Sequence, residues 1–211
     1  MAHPGKARLD GAVSPPSWPM VVTVASPMDG FDEILVSACA GQERAFGCLY
    51  DELQPAILRY LRWQEPSMAE DLAAETWLAV AERLAGFEGD EGAFRGWIFA
   101  IARRRLADHR RRAARRQTAT VPDEVLVGIA DPGDPAELVV EKLSAQQAIT
   151  HLTATLPADQ AEVVVLRVIG GLSVQETARV MNKRPGTVRV LQHRALRRLA
   201  NELGQKSVLE V

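Results

Sequence analysis

Two blocks of the chain concentrate side chains that bind polyanions. Residues 103–116 hold eight arginines and a single acid, and residues 179–206 hold eight lysines and arginines, again against a single acid. Guanidinium groups grip phosphate through paired N–H donors, and ammonium groups add point charge. Just ahead of the first block stand Phe94, Trp97 and Phe99. Such rings either fill a core or offer faces on which unstacked bases can lie, and for Trp97 and Ile101 the core is the expectation. The arginines beyond Arg103 cannot all be core, because buried unpaired charge is too costly. Catalytic chemistry has no comparable signature. His3, His109, His151 and His193 do not stand beside carboxylates at metal-ligand spacing. There is no Gly-rich phosphate loop and no Gly-x-Ser-x-Gly elbow. We expect no enzyme, no metal site and no cofactor. Cys39 and Cys48 lack CxxC spacing and read as small core residues in a reducing compartment.

The two basic blocks are set in an acidic chain. The 211 residues carry a net charge of −2, with 47% hydrophobic residues. Residues 43–102 hold eleven acids against five bases, and residues 117–141 hold six acids and no base. The whole chain is therefore no polybasic binder; any nucleic-acid contact must be local. No apolar run reaches the ~18 residues of a membrane span, and no charged-then-apolar leader precedes the first helical pattern. A cytoplasmic protein without membrane contact is expected.

The elements that must carry these groups are helical. Residues 1–30, with five prolines and three glycines, read as a disordered tail. Phe46, Leu49, Tyr50, Leu53, Ile57, Tyr60 and Leu61 follow helical spacing, with a kink or break expected at Pro55. A second helix is predicted from about Ala69 to Leu84 with Ser67 as N-cap. A third runs from about Ala93 into the arginine block. Pro122, Pro132 and Pro135 among scattered acids mark a linker. Further helices follow around Leu143–Leu156 and Pro157–Leu166. No strand alternation of any length occurs. The expected fold is all-α: two small helical domains, 31–116 and 137–205, joined by a flexible acidic linker, 117–136, with a short tail at 206–211.

The end of the chain reads as a helix-turn-helix. Ser173 with Glu176 three residues on makes a capping box for a short helix to about Met181. Lys183-Arg184-Pro185-Gly186 is the expected turn. The helix after it turns Val188, Leu191, Ala195 and Leu199 inward and leaves Thr187, Arg189, Val190, His193, Arg194 and Arg197 on its other faces. A helix fits the major groove, where its first side chains reach base edges and arginines hold phosphates.

Three stretches, in order, resemble the extracytoplasmic function (ECF) sigma factors of the sigma-70 family: Ala69-Glu-Asp-Leu-Ala-Ala-Glu-Thr-Trp-Leu78; Phe94 to Arg112; and Leu156-Pro-Ala-Asp-Gln160 onward with Gly171-Leu-Ser and Gly186-Thr-Val. They span roughly residues 43–203. The resemblance implies a promoter-specificity subunit, with 31–116 as region 2 and 137–205 as region 4. Asp71, Glu75, Thr76 and Leu78 would dock on core RNA polymerase, at the clamp helices of its largest subunit, with the flap as a second contact. Arg95, Trp97, Arg103, Arg104, Arg105, His109, Arg111 and Arg112 would meet the −10 element, and Phe87 to Arg95 would help hold a flipped base. Thr187, Arg189, Val190, His193, Arg194 and Arg197 would read the −35 element. Many members of the family are held inactive by an anti-sigma factor, a further partner to consider.

This chain also departs from the family pattern. Arg104 stands in place of Asn, Val190-Leu191 in place of Ser-Arg, Thr177 in place of Ile and Asn182 in place of Gly. The first two changes touch DNA-facing positions, so a promoter sequence cannot be borrowed from a relative. Thr177, polar in a core slot, is expected to hydrogen-bond back along its helix. The competing reading is a stand-alone helix-turn-helix regulator, which predicts a dimer on paired half-sites without polymerase.

Overall fold

The computed structural model describes residues 28–119 and 146–209, with side chains described over 28–116 and 146–202. The helices are α1 (Phe31–Cys39), α2 (Glu43–Gln64), α3 (Ala69–Ala81), α4 (Glu91–Ala119), α5 (146–153), α6 (Ala158–Val168), α7 (Val174–Met181) and α8 (Pro185–Leu209). Short 3-10 turns, Pro66–Met68 and Leu84–Gly86, flank α3. No strand occurs among the described residues, as the sequence led us to expect.

Helix α2 organises the first unit. Leu49, Leu53, Ile57, Tyr60 and Leu61 recur at helical spacing and are buried against α1, α3 and α4. The helix runs through Pro55 without the expected break. Proline removes one N–H and so strands the carbonyl of Asp51, but Asp51 and Pro55 both face solvent, where water can serve that oxygen. The Pro55 carbonyl accepts from Arg59 Nε at 3.1 Å. Ser67 does not cap α3: it lies in the 3-10 turn and donates to Glu65 Oε1, while Met68 holds the cap position without a side-chain bond. Helix α1 had no counterpart in the sequence reading. It buries Phe31, Leu35 and Ala38, and its first turn carries Asp32 and Glu33, where the helix dipole favours acids.

In the second unit the capping box forms in full: Glu176 N–H donates to Ser173 Oγ, and the Glu176 carboxylate accepts from the Ser173 N–H. Helix α7 ends at Asn182 in the left-handed conformation (φ 52°), a conformation that glycine adopts most readily and asparagine next. Lys183 N–H then reaches back to the Ala178 carbonyl at 2.8 Å. Pro185 is the first residue of α8 rather than part of the turn, a place where its missing N–H costs nothing. Thr177 departs from expectation. Its side chain is fully buried and its hydroxyl finds no hydrogen-bond partner, whereas Thr76, equally buried on α3, donates to the Leu72 carbonyl at 2.6 Å.

Helix α4 continues to Ala119, beyond the expected start of the linker, and α8 to Leu209, through most of the expected tail. The rest of the linker and the N-terminal tail up to residue 27 lie outside the described residues. The two units share one apolar cluster, which includes Ile98 and Phe99 of α4, Val163 and Leu166 of α6, Leu172, and Val180 of α7. Cys39 is half-buried, its thiol 3.1 Å from the Leu84 carbonyl. Cys48 is exposed, not core, because it lies off the buried stripe of α2.

Candidate nucleic-acid interface

Helix α4 is packed on three sides, by α2, α3 and α7, and this decides what its cations can do. Arg95 is 5% exposed and bridges Glu91 Oε1 (2.7 Å) and Glu52 Oε1 (3.1 Å). Grouped in the sequence with the −10 side chains, it is in this arrangement an internal brace closed off from solvent. Arg103 donates from Nε to Glu162 Oε1 of α6 at 2.8 Å, and that bond raises its already high pKa. Arg110 reaches the Gln64 carbonyl at 2.7 Å, at the C-terminal end of α2, where a cation is favoured. Arg111 pairs with Asp108 one turn back and holds that carboxyl below the ordinary carboxylate range. Arg104 and Arg112 are exposed, and Arg105 and His109 half-buried. Together with Arg111 they form the outward face of the block. Trp97 is half-buried, its ring 5.0 Å from Phe87 and 5.8 Å from Phe94 in a cluster that Phe31 completes from α1.

Helix α8 packs on one side only, against α6 and α7. Val188 and Ala195 are buried and Leu191 and Leu199 half-buried, so the inward stripe is the one the sequence marked. Thr187, Arg189, Val190, His193, Arg194 and Arg197 are all exposed. Val190 in particular leaves 48% of its surface to solvent, an apolar side chain on an otherwise polar face.

A third surface lies on α3. Asp71 and Leu78 are exposed, Leu78 by 63%, and Glu75 between them is half-buried. Positions i, i+4 and i+7 form one outward stripe. Thr76 is on the opposite side, fully buried, and serves the helix rather than a partner. Two groups the sequence did not single out stand between the units. Glu162 accepts from Tyr60 Oη (3.0 Å) as well as from Arg103, and Trp63 Nε1 donates to Thr153 Oγ1 (2.9 Å). Glu162 stands three and four residues before the buried Val165 and Leu166, and an acid on the inward stripe of a helix is the signal that could have drawn attention to it.

Comparison with known proteins identifies the two units. Residues 49–116 match the family model of sigma-70 region 2, and residues 146–199 match that of sigma-70 region 4. ECF RNA polymerase sigma factor SigD of Mycobacterium tuberculosis is 32% identical over 209 residues, covering 92% of this chain and 96% of that protein. The chain belongs to the ECF sigma factors of the sigma-70 family. It is also 38% identical to ECF RNA polymerase sigma factor BldN of Streptomyces coelicolor over 173 residues, which span 81% of this chain and 65% of BldN. Among solved structures, CnrH in complex with the cytosolic domain of CnrY shares the fold, with a TM-score of 0.56 at 23% identity over 82% of this chain and 96% of that one. ECF sigma factors are RNA polymerase subunits that direct transcription initiation at promoters, and the helix-turn-helix described above falls inside the matched region 4.

Proposed function

We propose that this chain binds core RNA polymerase through the α3 stripe of Asp71, Glu75 and Leu78, reads the −35 element with α8 and engages the −10 element with the outward face of α4. The observation that carries the reading is the exposed face of α8, where Thr187, Arg189, Val190, His193, Arg194 and Arg197 stand together behind a fully formed capping box and turn. Side chains near the start of such a helix reach base edges, and the arginines farther along hold phosphate. The domain limits we assign are 31–116 for region 2 and 137–205 for region 4. The chain carries no catalysis of its own in this reading; the polymerase supplies the chemistry. It works where the polymerase works, in the cytoplasm, and among the described residues no helix is long and apolar enough to cross a membrane. An anti-sigma factor is a further partner we assign by analogy with the Bartonella quintana sigma factor RpoE, solved in complex with the anti-sigma factor NepR.

The test is a charge reversal on α3. Asp71→Lys with Glu75→Lys changes two outward side chains, so the cost in stability should stay within ~0.5 kcal/mol per site. We expect the double variant to fold, to melt close to the parent and to lose core polymerase in a pull-down. A folded double variant with undiminished polymerase binding would remove α3 from the interface.

A further inference from the structure

Helix α8 turns two stripes in opposite directions. Val188, Leu191, Ala195 and Leu199 face the core of their unit. On the far side Gly186, Val190, His193 and Arg197, at i, i+4, i+7 and i+11, form the outermost line of the helix, and all four are exposed. Val190 is the odd member. Its neighbours on the helix surface, Thr187, His193 and Arg194, carry hydrogen-bonding groups. Its own isopropyl group neither donates nor accepts, yet the residue leaves 48% of its surface to solvent. Helix propensity does not explain the choice, since valine is stiff at χ1 and a weaker helix former than alanine or leucine. A side chain on a helix leans toward the turn before its own Cα. For Val190 that turn holds Gly186, which has no side chain and where even an added Cβ would meet nothing within 4 Å. The methyl groups of Val190 are thus open to whatever approaches the start of α8. Leu196, also exposed, lies off this stripe and about three turns along from Pro185.

An apolar group pressed into the major groove discriminates by what it covers. Guanine presents N7 and O6 there, adenine N7 and N6, and cytosine N4. Each of these loses water without gaining a partner when an isopropyl group lies on it, which is costly. Thymine alone presents a methyl group, at C5. Two apolar surfaces that meet there both leave water, which is favourable. Thr187, Arg189, His193 and Arg194 can be satisfied by base edges or by phosphates, whereas Val190 finds a matching surface only in that methyl. We propose that Val190 is a specificity-determining residue of the −35 contact and reads the C5 methyl of one thymine. The inference rests on the promoter-binding reading above and adds to it the base that one side chain selects.

The methyl can be removed without touching a hydrogen bond. Holoenzyme assembled from the full chain and core RNA polymerase is first used to select duplexes from a pool randomised over the −35 region. Each thymine of the selected element, on either strand, is then replaced by deoxyuridine, which keeps every donor and acceptor of thymine and lacks only the methyl. For the parent, replacement at one position should weaken closed-complex formation about fourfold, the size expected when one methyl group no longer leaves water. Val190→Ser replaces the isopropyl group by a small polar one on an exposed site, so the variant should melt with the parent. Its ratio of binding between the thymine and deoxyuridine duplexes at that position should fall to about one, and selection repeated with it should relax that position. Arg197→Ala, by contrast, should weaken both duplexes alike and keep the fourfold ratio. Insensitivity of the parent to every methyl, or a ratio that Val190→Ser leaves unchanged, would overturn the assignment while the promoter reading stood. If the pool yielded no preferred −35 sequence, or if Arg189→Ala with Arg194→Ala left the preference intact, the promoter reading would fail and the inference with it.

Discussion

The arginines of α4 and of α8 look alike in the sequence and sit in opposite surroundings. On α4, Arg95 is enclosed by Glu52 and Glu91, Arg103 is tied to Glu162, and Arg110 closes the end of α2. On α8, Arg189, Arg194 and Arg197 are exposed and form no ion pair among the described residues. The difference follows from packing. A helix covered on three sides must neutralise the cations that point inward, whereas one covered on a single side can leave its charges to a partner. Density of arginine thus leaves an open cationic face on α8, the face proposed to bind nucleic acid, and on α4 a mixture of braces and exposed groups that only the fold can sort.

The sharpest way to break the comparison is to remove arginines from each helix and ask which step suffers. An arginine that reads a base is worth ~1–3 kcal/mol, and one that holds phosphate lowers the salt slope by about one. We expect Arg189→Ala with Arg194→Ala to give the largest loss, in closed-complex formation on duplex promoter, with opening largely spared once the complex exists. Arg104→Ala should impair opening instead, and a promoter unpaired across the −10 region should partly restore it, since pre-melted DNA removes the unstacking cost. Rescue of the α8 variant and not of Arg104→Ala would reverse the two assignments.

Arg95→Ala tests the other half of the contrast. If Arg95 is a brace, its loss should appear in folding. Glu91 and Glu52 retain access to water and can rehydrate, so the cost should be ~1.5–3 kcal/mol rather than that of a wholly buried pair. Denaturant titration measures it. A variant as stable as the parent but defective at the −10 element would return Arg95 to the DNA face.

The same contrast explains what could be read from the sequence and what could not. The inward stripe of α8, the capping box at Ser173 and the helical character throughout depend on residues within about one turn of each other, so local pattern suffices. The pairing of Arg103 with Glu162 depends on residues 59 positions apart, brought together by a glycine-cleared stripe that has no periodic signature. Helix α1 is not legible although Phe31, Leu35 and Ala38 have the right spacing, because the stretch directly follows a Pro- and Gly-rich segment and is only nine residues long. Residue type alone points Cys48 inward, whereas its position relative to Leu49 and Leu53 turns it outward.

Thr177 offers a smaller test on the unit that carries α8. A buried hydroxyl without a partner forfeits its hydration, at a cost of ~1–3 kcal/mol. Thr177→Val keeps the shape and removes the polar atom, and should stabilise the chain by about 1 kcal/mol. Thr76→Val, where the hydroxyl is bonded to the Leu72 carbonyl, should not stabilise. Thermal melting of both variants makes the comparison, and equal effects would mean that the Thr177 hydroxyl has found a partner.

The smallest expected effect is alkaline and concerns the contact between the units. Burial is the main reason that the Tyr60 hydroxyl has a pKa well above its ordinary 10.0; the Glu162 charge and hydrogen bond add to it, and the charges of Arg103 and Arg110 oppose it. A folded-state pKa above the unfolded one means that the native chain holds its proton longer. Its contribution is therefore complete below pH 10 and is lost as pH rises from there through the raised folded value. At pH 10.5 the loss from this one group is about 0.8 kcal/mol, the free energy of ionising an unfolded tyrosine with a pKa near 10. Tyr60→Phe removes the titration together with the bond to Glu162, so its stability should be lower than the parent's at neutral pH and should approach it as pH rises past 10. Because α8 packs away from Tyr60, the binding of its exposed arginines to −35 duplex should not share this step. A parallel pH dependence in parent and Tyr60→Phe would show that Tyr60 keeps its proton no more tightly in the folded chain than in the unfolded one.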